Sequence, residues 1–598
     1  MRDDPGYADI GDYAVIGDGR SAALVACDGR IDWWALPSLD SPPIFAALVD
    51  PKTGGYFSLR PRGEISTTRR YADATNVLET TFTTLSGTLV VTHAMATGTA
   101  GRLPWSEIGC RAQCVSGTVE VVYELVPGTR FGTASPWMKV AGSTPIAQVA
   151  DQSLALVTDC PPAEVGTHEL SGSFTLHGGE RRVLGILATD GEPLFIATPQ
   201  AVDARIDKTA QDWRRWSALL DNDGRWASAV ERSALALKTV IAEDTGAIAA
   251  AATTSLPEKI GGHKNWDYRF AWVRDSSFVL DALMSLGLHE EAHRAMSWLL
   301  RAIRCNGGDL AIFYTLGAQL PTECKELDAP GYRGSRPVRE GNDAAGQVQL
   351  GNYGDLFDAV RHYVAAGHVL DTATSTMLSE LADECCDQWR EVDSGIWELD
   401  SRQHYTISKI GCWVALERAI ALARDGQIQG GHRQRWRAES EEIRRFVETE
   451  CWSGSKGAYT FYAGTDRLDA SVLLAGRTDF DRGKRLSSTA DAVLAELGAP
   501  PAVWRYSGAQ NEEGAFVACT FWLIEALAYV GRGAEAAVLM DSAISALPND
   551  VGIMAEQFDP ATGQSLGNLP QALSHLALII AAYTLRSVHE HEGELGAS

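Results

Sequence analysis

The chain changes its hydrophobic period once, near residue 200, and that change constrains the fold more than any other feature. From Tyr7 to about Thr198, runs such as GTLVVTHAMA, GTVEVVYELVP and RRVLGILATDG alternate apolar and polar residues. They are rich in β-branched side chains and are punctuated by Gly, Pro, Asp and Asn. Short strands at regular spacing predict an antiparallel sandwich. From about Ala204 the spacing becomes helical. IDKTAQDWRRWSALL sets Trp213, Trp216 and Leu220 at helical intervals and predicts a linker helix. Beyond Trp226, amphipathic stretches follow one another at about 30 residues per helix with its loop. Almost no strands interrupt them, which argues against a parallel α/β barrel. Paired helices closed into an (α/α)6 barrel, with long functional loops at one end, fit better. The expected fold is multidomain α and β. It has an N-terminal antiparallel β-sandwich over residues 1–203, a helical linker over 204–225, a C-terminal (α/α)6 barrel over 226–590 and a tail over 591–598.

Composition narrows the partners. The chain carries 52 Lys+Arg against 77 Asp+Glu, a net charge of −25. That excess argues against a nucleic-acid backbone or an anionic membrane as main partner. The start, MRDDPGYADIGDY, has neither a basic n-region nor an apolar h-region, and no run reaches about 18 uncharged apolar residues. Eleven cysteines are scattered without a CxxC pair, and nothing completes a zinc site around Cys110 and Cys114. Reduced thiols in a cytoplasm are therefore expected, with no metal and no cofactor. Oligomeric state is not readable. The seventeen tryptophans fit either a large core or a carbohydrate site.

Three segments concentrate acidic and aromatic residues in loops before helices. NWDYRFAWVRDSSF, residues 265–278, gathers Trp266, Tyr268, Phe270 and Trp272 around Asp267, Arg269, Arg274 and Asp275. It is a candidate polyol site, with Asp275 accepting from sugar hydroxyls and Arg274 donating; the plain alternative is that Asp275 and Ser276 cap the following helix. SGIWELDSRQHYTISKIGCWVALERA, residues 394–419, sets Glu398 beside Trp397. A carboxyl desolvated by an indole suits a general acid; the plain alternative is a solvated loop glutamate. GIMAEQFDPATGQSLGNLPQALSHLAL, residues 552–578, offers Glu556 as a general base; the plain alternative is a carboxylate stabilising its turn. Two loop carboxylates beside aromatics suit glycoside hydrolysis.

Taken in order, these segments resemble glycoside hydrolase family 15, which contains glucoamylases, bacterial trehalases and related exo-acting α-glucosidases. IGDYAVIGDGRSAALVACDGRIDWWALPSLDSP, WRYSGAQNEEGAF and GNLPQALSHLAL extend the resemblance over nearly the whole chain. It implies the sandwich, linker and (α/α)6 barrel, and inversion at the anomeric carbon. It implies Glu398 as general acid and Glu556 as general base. Arg274 and Asp275 match residues that grip the non-reducing glucose, and Trp272 and Trp397 match walls of that pocket. Trp266 lies in the same sugar-binding segment. Arg505 resembles an arginine near the scissile bond, and Glu513 matches an acidic position of unassigned role. An inverting pair stands roughly 6.5–9.5 Å apart, leaving room for water. Two departures, Gly351 and Asn352 in QLGNYGD and Lys264 before NWDYR, are expected to reshape a loop on the aglycone side.

The implied activity is inverting, exo-acting hydrolysis of an α-glucoside from its non-reducing end, leaning to trehalose. A glucoamylase-type or isomalto-type activity is the alternative. A phosphorylase would need no general base, and glucose phosphate as product would reveal it. A non-catalytic sugar-binding protein would bind without hydrolysis. The expected partner is a small-molecule or oligosaccharide α-glucoside.

Overall fold

The structure is a computed structural model that describes residues 2–3, 6–98, 104–321 and 323–596. Its strand-rich half is built on one long strand, Trp105–Val126. The first half of that strand pairs with Gly87–Met95 and Arg181–Asp190. The second half pairs with Tyr56–Pro61 and Leu170–His177. The strand thus belongs to two antiparallel sheets in turn. Val119, Val121, Tyr123 and Leu125 alternate into the core, the period-2 pattern of a strand with one dry face.

The linker helix α1 spans Pro199–Ser217, five residues earlier than the periodicity predicts. Thr198 caps it by accepting from the Ala201 amide, and Pro199 takes the first turn, where its missing N–H costs nothing. Its inward residues Val202, Ile206 and Trp213 pack on the sandwich, and Arg205 Nε donates to Glu107 at 2.7 Å.

Eleven further helices follow among the described residues. They are α2 (Ala227–Lys238), α3 (Val273–Ser285), α4 (His289–Cys305), α5 (Gly351–Ala365), α6 (Thr372–Gln388) and α7 (Thr406–Arg424). Then come α8 (Arg433–Glu450), α9 (Lys484–Leu497), α10 (Val517–Tyr529), α11 (Gly533–Ala546) and α12 (Ala572–Gly596). Helix α3 packs on α5, α5 on α7, α7 on the 3₁₀ segment Ala470–Ala475, that segment on α10, α10 on α12, and α12 back on α3. Six elements therefore close an inner ring, and α2, α4, α6, α8, α9 and α11 pack outside it. Inner α10 is apolar almost all round, as a helix buried on both sides must be. No helix of the described residues is long and apolar enough to cross a membrane.

Two expectations need correction. The tail predicted from residue 591 is helical as far as Gly596; residues 597–598 lie outside the described part. A helix already nucleated by a buried stretch propagates through Glu and Leu, and one interior Gly costs only about 1 kcal/mol. The helical half also contains strands. Gly498–Ala499, Ala502–Val503, Ala515–Phe516, Gln557–Phe558 and Ser565–Leu566 form a five-stranded sheet. Two-residue strands carry no readable period.

The halves meet beneath the NWDYR segment. Trp33 Nε1 donates to the Ala252 carbonyl at 2.9 Å, and Arg269 Nη1 to the Ser41 carbonyl at 2.9 Å.

Candidate active site

The NWDYR segment is extended, so alternate side chains face opposite ways. Trp266 and Tyr268 line a pocket of about 1170 Å³, open mouth included. Asp267 and Arg269 are buried on the sandwich side, joined at 2.7 and 2.8 Å. Helix α3 starts after Trp272, and Asp275 does not cap it. Asp275 instead accepts from Arg274 Nε at 3.0 Å, while Ser276 Oγ donates back to the Val273 carbonyl.

Glu398 and Glu556 both line this pocket, with Arg274, Trp266, Trp397 and Arg505. Glu398 sits in the turn before α7 at φ +60°, a left-handed conformation that costs a non-glycine residue roughly 1–2 kcal/mol. The indole that serves it is not its neighbour Trp397. Trp272 Nε1 donates to Glu398 Oε1 at 2.8 Å, and Arg274 Nη1 stands 3.4 Å from the same oxygen. Trp397 turns away and donates to Asp469 Oδ1 at 2.8 Å. Adjacent residues at a tight turn diverge, which is why sequence adjacency misassigned the pair. Arg274 also donates to the Ile396 carbonyl at 2.9 Å, which pins the guanidinium against the pocket floor.

Glu556 is held differently. It is 2% exposed, and its Oε2 has no hydrogen-bond partner. Its backbone is tied on both sides: its amide donates to the Asn568 carbonyl at 3.1 Å, and its carbonyl accepts from the Val517 amide at 3.0 Å. Burial pushes its carboxyl well up; the Glu258 charge adds to this, while Arg505 and a hydrogen bond from Tyr268 oppose it. Tyr268 lines the same pocket as both candidate carboxylates, and its phenol is raised by burial and by the charges of Glu556, Glu258 and Glu398.

Arg505 is a hub. Its Nε donates to Glu513 Oε1 at 2.5 Å and its Nη2 to Glu258 Oε2 at 2.7 Å. Its guanidinium also lies 5.4 Å from the Trp397 ring. Lys264 Nζ donates to Glu513 Oε2 at 3.0 Å. Burial would raise Glu513, but the Arg505 and Lys264 charges outweigh it and hold that carboxyl low.

Two residues matched to substrate contacts, Trp272 and Asp275, and Glu513, whose role was unassigned, therefore stand behind the pocket wall. Trp272 reaches Glu398, Asp275 holds Arg274, and Glu513 has its oxygens occupied by Arg505 and Lys264. Glu258 and Tyr268 do line the pocket and were not selected from the sequence. Tyr268 lay inside the quoted motif; Glu258, in SLPEKIGG, carried no local signal.

The QLGNYGD departure is not at the mouth. Gln349, Gly351, Asn352 and Asp355 line a second, smaller pocket that shares Arg274 and Ile396 with the first, at the start of α5. Gly354 packs there on α7: a Cβ on it would lie 2.5 Å from the Gly411 carbonyl. Lys264, by contrast, does line the main pocket. One metal-type spacing lies outside the three segments, His289 and His293 in the run HEEAH of α4. Both are exposed on the barrel exterior, and no group of three His, Cys, Asp or Glu among the described residues is arranged to hold a metal ion.

A helical ring presenting two loop carboxylates, an arginine clamp and indole walls to one pocket has the parts needed to break a glycosidic bond. Residues 224–583 match the model of glycosyl hydrolases family 15, and residues 7–158 match that of a trehalase-like N-terminal domain. A trehalase of Mycolicibacterium smegmatis is 35% identical, covering 98% of this chain and 92% of its own. A trehalase of Thermoplasma volcanium is 30% identical, covering 96% and 93%. A bacterial glucoamylase solved with acarbose superposes with a TM-score of 0.70 over 97% of this chain and 94% of its own, at 13% identity, a likeness of fold. The chain belongs to glycosyl hydrolase family 15.

Proposed function

We propose that the protein is an inverting trehalase, splitting trehalose and water into two glucose molecules. The observation that carries this reading is the likeness, over nearly the full length of both chains, to relatives named trehalases. The pocket supplies the chemistry. Glu398 donates its proton to the glycosidic oxygen. Glu556 takes a proton from a water attacking the anomeric carbon on the opposite face. Arg274 fixes the non-reducing glucose, and Trp266 and Trp397 form apolar walls for its ring. Trp272, Asp275 and Glu513 act by positioning: Trp272 aims Glu398, Asp275 holds Arg274, and Glu513 holds Arg505. The sandwich, from the N-terminus to about Thr198, buttresses the NWDYR segment through Ser41, and the barrel begins at α2. The eleven cysteines are all free thiols, which supports a reducing compartment such as the cytoplasm.

The test is a panel of trehalose, maltose, isomaltose, soluble starch and dextran, with NMR of fresh products. Trehalose should be the preferred substrate. Inversion turns one unit to β while the leaving unit keeps its α configuration, so the two anomers should first form one to one. Product that is all α refutes inversion, and a preference for maltose or starch refutes the substrate. Glu398→Gln and Glu556→Gln should each lower kcat by about 10²–10⁴-fold.

A further inference from the structure

A base must be ionised to accept a proton, yet Glu556 is placed where a carboxyl holds on to one. The surroundings show what governs that balance. Glu258 is 2% exposed and lines the same pocket. It is tied to the Glu556 region from two sides. The Gly567 amide donates to the Pro257 carbonyl at 2.8 Å, and Gly567 packs directly on the Glu556 side chain. The Gly514 amide donates to the Glu258 carbonyl at 3.0 Å, three residues before the Val517 amide that binds Glu556.

Charge counting follows. Three buried carboxyls, Glu258, Glu513 and Glu556, share two cations, Arg505 and Lys264, and Lys264 is also bonded by the exposed Glu512 at 3.0 Å. Glu513 bonds both cations, Glu258 bonds Arg505, and Glu556 bonds neither. The Tyr268 phenol also hydrogen-bonds Glu556, and the same pocket holds the Arg274–Glu398 pair, His263, Asp343 and Asp400. One negative charge is left over in a buried site, and a proton neutralises it at lowest cost on the carboxyl without a cation.

We infer that Glu258 is a positioning residue of the reaction: its Arg505-bound carboxylate sets the pH at which Glu556 gives up its proton and becomes able to act as the base. This rests on the reading of Glu556 as base. Burial pushes both carboxyls up, and Glu258 is the leading charged contributor to the rise at Glu556, which supports the direction of the coupling.

The experiment is the pH profile of kcat/KM for trehalose in wild type, Glu258→Gln and Glu258→Asp. Gln removes the charge but keeps an oxygen for Arg505, so the acidic limb should move to lower pH by about one unit or more. Asp keeps the charge and should return the limb toward the wild-type position, whatever the height of its plateau. A limb that stays in place in Glu258→Gln overturns the inference, even if activity falls evenly at every pH, because that marks a merely structural partner of Arg505. If Glu258→Gln does not fold, as judged by circular dichroism, the Asp variant decides. An acidic limb in Glu258→Asp at the wild-type pH supports the inference, and a limb displaced toward acid overturns it. Glu556→Gln, measured alongside, separates the two readings. Full activity there refutes Glu556 as base regardless of what Glu258 does.

Discussion

Gly567→Ala tests whether Glu556 is held in place by contact. Gly567 adopts φ +74°, and a Cβ there would lie 2.7 Å from Glu556 Cβ. That is about 1 Å inside an ordinary carbon–carbon contact. The clash meets both the Oε2 atom and the Cβ of the glutamate, so a swing of the tip alone does not relieve it and the whole side chain must move. Misplacing a reacting group by about 1 Å costs on the order of 10²-fold in rate, roughly 2.7 kcal/mol of barrier. The left-handed backbone adds a separate penalty of about 1–2 kcal/mol, which falls on stability and not on the barrier. Gly563 provides the control: its φ is +76°, and a Cβ there would meet nothing within 4 Å. Both alanine variants should lose stability in thermal unfolding, Gly567→Ala more than Gly563→Ala because its Cβ also overpacks a buried site. Only Gly567→Ala should lose about a hundredfold in kcat on trehalose, with KM changed by a few-fold at most. Equal kcat in the two variants would refute contact as the device that places Glu556.

Trp272→Phe keeps the stack on Phe313, at 4.5 Å between ring centroids, but removes the N–H that aims Glu398. Loss of one positioning hydrogen bond, about 1–2 kcal/mol, predicts a kcat about tenfold lower in steady-state kinetics, measured well below a melting temperature that the smaller buried ring should lower only modestly. Arg269→Ala leaves the buried Asp267 carboxylate without its partner, so denaturant unfolding should show a loss of about 3–5 kcal/mol. His93 is fully buried in the sandwich, neither ring nitrogen has a partner, and burial lowers its pKa to about 4. The unfolded chain protonates this histidine near 6.5 and the folded one does not, so stability is intact above 6.5 and is lost as pH falls toward 4. Between about pH 6.5 and 5 the wild type should lose about 2 kcal/mol more than His93→Leu in urea melts.

The sequence exposed what repeats and concealed what depends on three-dimensional proximity. Strand period and helix period separated the two halves because each is sampled many times. Glu398 and Glu556 stood out as candidates because each is a loop carboxylate before a strong helix and because their segments, in order, resemble family 15; Glu398 has aromatics around it, while the Glu556 segment has only Phe558. The error over Trp397 came from reading neighbours in sequence as neighbours in space; its partner is Asp469, in another loop. Glu258 was invisible for the same reason. Its importance comes from Arg505, Glu513 and Glu556, all more than 240 positions downstream, brought beside it by strands two residues long.

The two carboxylates are fixed by different physics, and this predicts where each is vulnerable. Glu398 is over-determined locally. Besides Trp272 and Arg274, its amide donates to the Gly395 carbonyl at 3.3 Å and its carbonyl accepts from Gln347 Nε2 at 2.9 Å. Those contacts offset the strain of φ +60°, and they come from the same turn and from the loop before α5. Glu556 has one oxygen unpaired and is placed by packing against Gly567 and by the field of three charged neighbours, Glu258, Arg505 and Glu513. Hydrogen bonds fall off steeply with geometry, so displacing Glu398, the proposed acid, should require a substitution in direct contact with it. Electrostatic fields in a dry site act over longer distances, so Glu556, the proposed base, should respond to charge changes at Lys264 or Glu513, neither of which bonds to it.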